Sequence, residues 1–162
     1  VADFANIFLG WLHILGVVIW IGGSIVLDVI LRPGSIKSMG LTQEQAARLG
    51  QAISKRFSPM VWISVVVVAA TGVLRGARMD VLGYDALTGT TYGLILSAKL
   101  ILFLAMMVIG VMIGRTGLKL AKAGDPEESL KAQTKIRKLS EVNIAIGIVV
   151  ILLAVALRYG GI

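Results

Sequence analysis

Four apolar runs, each as long as a bilayer crossing or close to it, govern what this chain can fold into. Between Ile7 and Leu27 the polar side chains are His13 and Ser24, and between Tyr92 and Gly114 the ionisable one is Lys99. About 20 apolar residues in an α-helix span ~30 Å of hydrocarbon. The runs Pro59–Leu74 and Ile144–Leu157 are shorter, so interfacial residues such as Trp62, Arg75, Arg158 and Tyr159 must complete their ends. With 57 % apolar and 15 % charged residues in 162, too few soluble side chains remain to cover four buried helices. The expected fold is all-α: an integral membrane antiparallel four-helix bundle forming a single domain over 1–162. Its spans are expected at about 5–31, 59–75, 92–114 and 142–159, with a short cytoplasmic helix and cytoplasmic helix extensions.

The net charge of +7 is concentrated at helix ends. Arg32, Lys37, Arg48, Lys55 and Arg56 lie between the first two runs, and Arg115, Lys119, Lys122, Lys131, Lys135, Arg137 and Lys138 between the last two. Arg75 and Arg78, between the middle runs, are offset by Asp80 and Asp85. The positive-inside rule makes the two basic loops cytoplasmic and both chain ends non-cytoplasmic, in a multi-pass protein of the cell membrane. Such loops suit anionic lipid headgroups, and nucleic acid is not an expected partner. The chain has no cysteine, which excludes disulfides and thiolate metal sites. Asp3 stands where a signal peptide carries basic residues, so the first run reads as a retained span.

Local signals set the boundaries. Arg32-Pro33-Gly34 ends the first helix, and Thr42-Gln43-Glu44-Gln45 is a capping box that opens a short helix to about Phe57. Ser58-Pro59 is expected to restart the second span, with serine capping and proline at the first helical position. Gly76 to Thr91 reads as an outer loop. The third helix should continue to Ala123 and stop at Gly124, and Asp125-Pro126-Glu127-Glu128 starts a helix that runs into the fourth span.

Ionisable groups at membrane depth are costly and therefore functional candidates: here His13, Asp28 and Lys99. His13 and Lys99 each lie about seven residues in from the outer end of their span, ~10 Å at the helical rise, and so share one level. At 100° per residue Val17, Trp20, Ser24, Asp28 and Leu31 fall on the His13 face, and Phe103, Met106, Gly110 and Gly117 on that of Lys99. His13 either hydrogen-bonds a neighbouring helix or offers a neutral imidazole to a metal ion or to haem iron. Lys99 snorkels outward, or balances an anion such as a haem propionate. Asp28 is expected to pair with Arg56 or Arg115 at the inner boundary, a structural role. Copper needs soft ligands, and beside His13 only the six methionines supply them. Met106 lies about two turns deeper than His13, a successive station rather than the same coordination sphere. The candidates are therefore His13 and Met106 for a metal, and His13, Trp20, Lys99 and Met106 around a bound group, with no catalytic residue assigned.

The order Trp11-Leu-His-Ile-Leu-Gly-Val-Val-Ile-Trp-Ile-Gly-Gly23, then Lys55-Arg-Phe-Ser58, Thr71-Gly-Val-Leu74 and Tyr92-Gly-Leu-Ile-Leu-Ser-Ala-Lys-Leu100 resembles the copper-resistance D (CopD) membrane domain. The His13 and Lys99 stretches are also similar to HemJ-type protoporphyrinogen oxidases, in which the matching residues are associated with haem b and activity. The first resemblance implies copper transport or resistance. The second implies a haem-b redox subunit or oxidase using His13 and Lys99, although the chain has no second histidine for a bis-histidine haem. The cofactor is copper or haem b on these readings. A third expectation is a structural subunit of a larger membrane complex, and a homodimer is also open.

Overall fold

The computed structural model describes residues 3–120 and 124–159, and every element among them is a helix. Four stretches are long and apolar enough to cross a membrane: Phe4–Ile30, Glu44–Arg78, Thr91–Leu120 and Glu127–Arg158. The protein is an all-α, multi-pass membrane protein. Its helices form two compact units, residues 1–79 and 80–162, each built around an antiparallel pair.

In the first unit α1 (Phe4–Val17) runs through a π-helical turn (Val18–Gly22) into α2 (Gly23–Ile30) without leaving the helix. Asp3 caps α1 by accepting from the Ala5 N–H, at 3.1 Å. The π turn adds roughly one residue to the repeat, which rotates everything below it by about 100° relative to a regular helix. The single face expected to carry His13, Trp20 and Asp28 is therefore broken at Trp20, which lies within the turn and is buried. Apolar periodicity could not disclose this, because every residue of Val18–Gly22 is apolar.

Next come α3 (Pro33–Ser38) and α4 (Gln43–Arg78), the latter 36 residues long. The capping box is present: Gln45 N–H donates to Thr42 Oγ1 at 3.2 Å, and Thr42 N–H to Gln45 Oε1 at 2.9 Å. The break expected at Ser58-Pro59 is absent, and Pro59 sits inside α4. Proline deletes one ladder bond, to the carbonyl four residues back, but membrane helices tolerate that loss where the rest of the ladder is kept. The short helix expected before Phe57 and the second span are thus one element.

Small residues allow α1 and α4 to approach. A Cβ on Gly16 would stand 2.8 Å from Val68 Cγ2 and 3.3 Å from the Ser64 carbonyl oxygen, and one on Gly23 would strike the Phe57 ring. Trp20, Ile21, Ser64, Val65, Val68 and Thr71 are buried. At the end of the pair where α1 begins, Arg78 donates to Asp3 Oδ2 and Asn6 Oδ1, both at 3.1 Å. Phe4, Phe8 and Trp11 form an exposed aromatic ladder there, with successive ring centroids 6.4 and 5.8 Å apart, as interfacial belts require.

The second unit begins with α5 (Tyr84–Gly89), a helical turn and a half inside the segment expected to be a loop. It packs on the start of α6 (Thr91–Leu120), where Gly93 is needed because a Cβ would overlap the Ala86 carbonyl. Thr90 Oγ1 accepts from Gly93 N–H at 2.9 Å, and Ser97 donates to the Leu87 carbonyl at 3.3 Å. α7 (Pro126–Arg158) starts on Asp125, whose carboxylate accepts from the Glu127 N–H, and runs through the fourth span unbroken, as expected. The expected end of the third helix at Ala123 lies outside the described residues. Met106, Thr116, Asn143 and Val150 form the interior of the α6–α7 pair.

Candidate functional site

In the first unit the imidazole of His13 meets Thr71, about three and a half helical turns beyond Ser58 along α4. His13 Nδ1 and Thr71 Oγ1 are 2.8 Å apart. Thr71 Oγ1 also lies 2.6 Å from the Val67 carbonyl oxygen, and 3.3 Å from that of Val68. A hydroxyl has one proton and a carbonyl oxygen has none, so the short contact commits the threonine proton to Val67. Thr71 Oγ1 can then accept from the ring when Nδ1 is the protonated nitrogen. In a neutral imidazole this leaves the lone pair on Nε2, the form in which histidine binds metals. Gly72 lies along the same edge: a Cβ there would be 3.5 Å from His13 Cε1, in ordinary contact.

One turn along, the Arg75 guanidinium covers Gly10, with Cζ 3.8 Å from where a Cβ would stand. Arg75 follows Thr71 by four residues and Gly10 precedes His13 by three, so imidazole, hydroxyl and guanidinium occupy neighbouring turns of one helix pair. Sequence reasoning treats Arg75 as an interfacial anchor and Thr71 as a polar residue in a span. Neither assignment signals that they flank His13, because the pairing of α1 with α4 depends on the Gly16–Val68 contact rather than on a local pattern.

The other candidates are dispersed. Asp28 accepts from its own helix neighbour, Arg32 Nη2 at 2.9 Å and Nε at 3.2 Å, in place of the expected Arg56 or Arg115. A partner four residues on is already on the same helix face and needs no tertiary docking. The Asp28 side chain is 8 % exposed and that of Arg32 57 %. In the second unit Lys99 is half-buried on α6, and Met106, 2 % exposed, is its most buried large side chain. Asn143 was not foreseen: it is 7 % exposed, and its Oδ1 has no hydrogen-bond partner among the described residues. An amide just ahead of the apolar run Ile144–Leu157 is the only cue in the sequence, and it says nothing of satisfaction.

Among the described residues no three His, Cys, Asp or Glu side chains cluster as a metal site. Residues 51–157 match the family model described as copper resistance protein D. The chain belongs to the copper resistance protein D family. The matched segment contains Thr71, Arg75, Lys99, Met106 and Asn143, and His13 precedes it. Searches of curated proteins and of solved structures return no match. The chain is therefore a membrane protein related to copper resistance.

Proposed function

We propose that this CopD-family protein handles copper within the membrane, in transport or resistance, with His13 Nε2 as a copper ligand. The observation that supports the reading is the 2.8 Å contact of His13 Nδ1 with Thr71 Oγ1, which orients the imidazole as a hydrogen-bond partner orients a metal-binding histidine. Copper is cargo on this reading, and Met106 is the thioether station of the second unit. Its burial supports ordinary packing equally well, so the test begins with His13. Cuprous ion titrated into purified protein should bind, with X-ray absorption showing a nitrogen ligand. His13→Ala should abolish that ligand. Thr71→Val keeps the shape of the residue but deletes the acceptor, and should weaken binding roughly 10–100-fold, the usual cost of losing a ligand's hydrogen-bond partner. Thr71→Ser should retain it. Unchanged affinity in both His13→Ala and Thr71→Val would sink the proposal.

Arg75 favours a second reading. A guanidinium one turn from a ligating imidazole suits a metal group that carries carboxylates, and haem b has two propionates. His13 would then hold the iron through its imidazole, and Arg75 would meet a propionate. A Soret band in gently purified protein, lost in His13→Ala and shifted in Arg75→Gln, would establish this reading over copper. Colourless protein that binds copper would reject it.

A further inference from the structure

The connection end of the second unit carries a groove between α6 and α7 that the copper reading does not use. Met112, Arg115, Thr116 and Lys119 line one wall, and Glu128, Lys131, Ala132 and Lys135 the other, enclosing about 380 Å³. Four cations thus face one carboxylate. Lys131 is paired on its outer side with Glu127, whereas Arg115, Lys119 and Lys135 make no ion pair among the described residues. Thr116 is buried, and its hydroxyl is turned back onto the Met112 carbonyl at 2.8 Å, so it is not what neutralises them.

Depth identifies the occupant. The apolar run of α6 ends at Gly114, and Arg115 is the first charge after it, so the groove opens where hydrocarbon gives way to headgroups. Its walls are also mixed in a particular way. Met112 of α6 shares the groove with Lys135 of α7, and on the membrane side of this level α6 exposes Val108 and Val111 while α7 still carries Arg137 and Lys138. Free phosphate would engage the charges alone and make no use of the adjoining apolar face of α6. A lipid covers both.

We propose that this groove binds the phosphodiester headgroup of an anionic phospholipid, with Arg115, Lys119 and Lys135 as its cations and the Val108–Met112 face of α6 against an acyl chain. The full chain in a neutral detergent is titrated separately with phosphatidylglycerol, phosphatidylcholine and pyrophosphate, following bound lipid by native mass spectrometry and unfolding temperature in parallel. Phosphatidylglycerol should bind and stabilise, phosphatidylcholine and pyrophosphate should do neither, and salt should weaken the effect. Arg115→Gln/Lys135→Gln should bind phosphatidylglycerol on the order of 10-fold more weakly, and Lys55→Gln/Arg56→Gln, an equal loss of charge on the first unit, should not. Because the first variant can fail on folding alone, a photoreactive phosphatidylglycerol is crosslinked to the wild-type protein, where label should fall within residues 108–138. Equal weakening in the two variants, label elsewhere, or protection by pyrophosphate matching that by lipid would each overturn the assignment.

Discussion

A single atom's worth of space separates the glycines that hold this protein together from those that merely occupy its helices. At Gly16 a methyl group would press on Val68 and on the Ser64 carbonyl, and the carbonyl belongs to the α4 backbone, which cannot rotate away. Gly16→Ala should therefore cost roughly 1–3 kcal/mol by overpacking. Gly114 is the control, since nothing lies within 4 Å of its absent Cβ and its helix has ordinary φ. Gly114→Ala should be neutral or stabilise by up to ~1 kcal/mol, through helix propensity and a less flexible unfolded chain. Unfolding in detergent followed by circular dichroism checks both, and equal effects would mean that Gly16 is not a close-packing position. Seven-residue spacing lets Gly16 and Gly23 admit a close approach by another helix. It cannot say which neighbour fills the space, because that depends on the register of α4.

At the scale of elements, two local rules fared differently. Capping chemistry acts over a few residues, and both Thr42 and Asp125 cap the helices that their side chains announce. Proline's tendency to break a helix also acts locally, yet α4 passes through Pro59, since in lipid an interrupted ladder leaves more polar groups unsatisfied than one missing N–H does. The Asp28–Arg32 pair belongs to this scale as well. Its carboxylate is buried and its guanidinium half in water, which places the pair between a surface ion pair and a buried one. Asp28→Asn should lower stability by roughly 1–3 kcal/mol while copper binding per folded protein is retained. In a double-mutant cycle Arg32→Gln should add little to Asp28→Asn. Full additivity would show that the two residues act separately, and loss of copper binding from stable protein would move Asp28 into the site.

At the scale of the whole molecule, the orientation in the membrane remains a matter of charge. Twelve basic residues lie in the two segments 32–57 and 115–141, against Arg75, Arg78 and Arg158 on the opposite side. We expect the first two segments in the cytoplasm. The absence of cysteine makes the measurement clean. Single cysteines at Gly40, Thr88 and Gly124 should differ in intact cells, an impermeant maleimide reaching Thr88→Cys alone. Labelling of Gly40→Cys and Gly124→Cys with Thr88→Cys protected would invert the topology.

Helical class, the four apolar crossings, the caps and the candidacy of His13 were all legible from the chain itself. Each follows from local chemistry: hydrocarbon needs about 20 apolar residues in a helix, and an ionisable side chain within such a run is conspicuous. What only the tertiary structure decided is what His13 meets. Thr71 lies 58 residues away, and whether it meets the ring depends on the π turn, on Gly16 against Val68 and on α4 staying whole through Pro59. The sequence contains a histidine, and its chemistry depends on which nitrogen holds the proton. The ring meets a threonine hydroxyl that itself lies 2.6 Å from the Val67 carbonyl oxygen, a long-range geometry that no periodicity encodes.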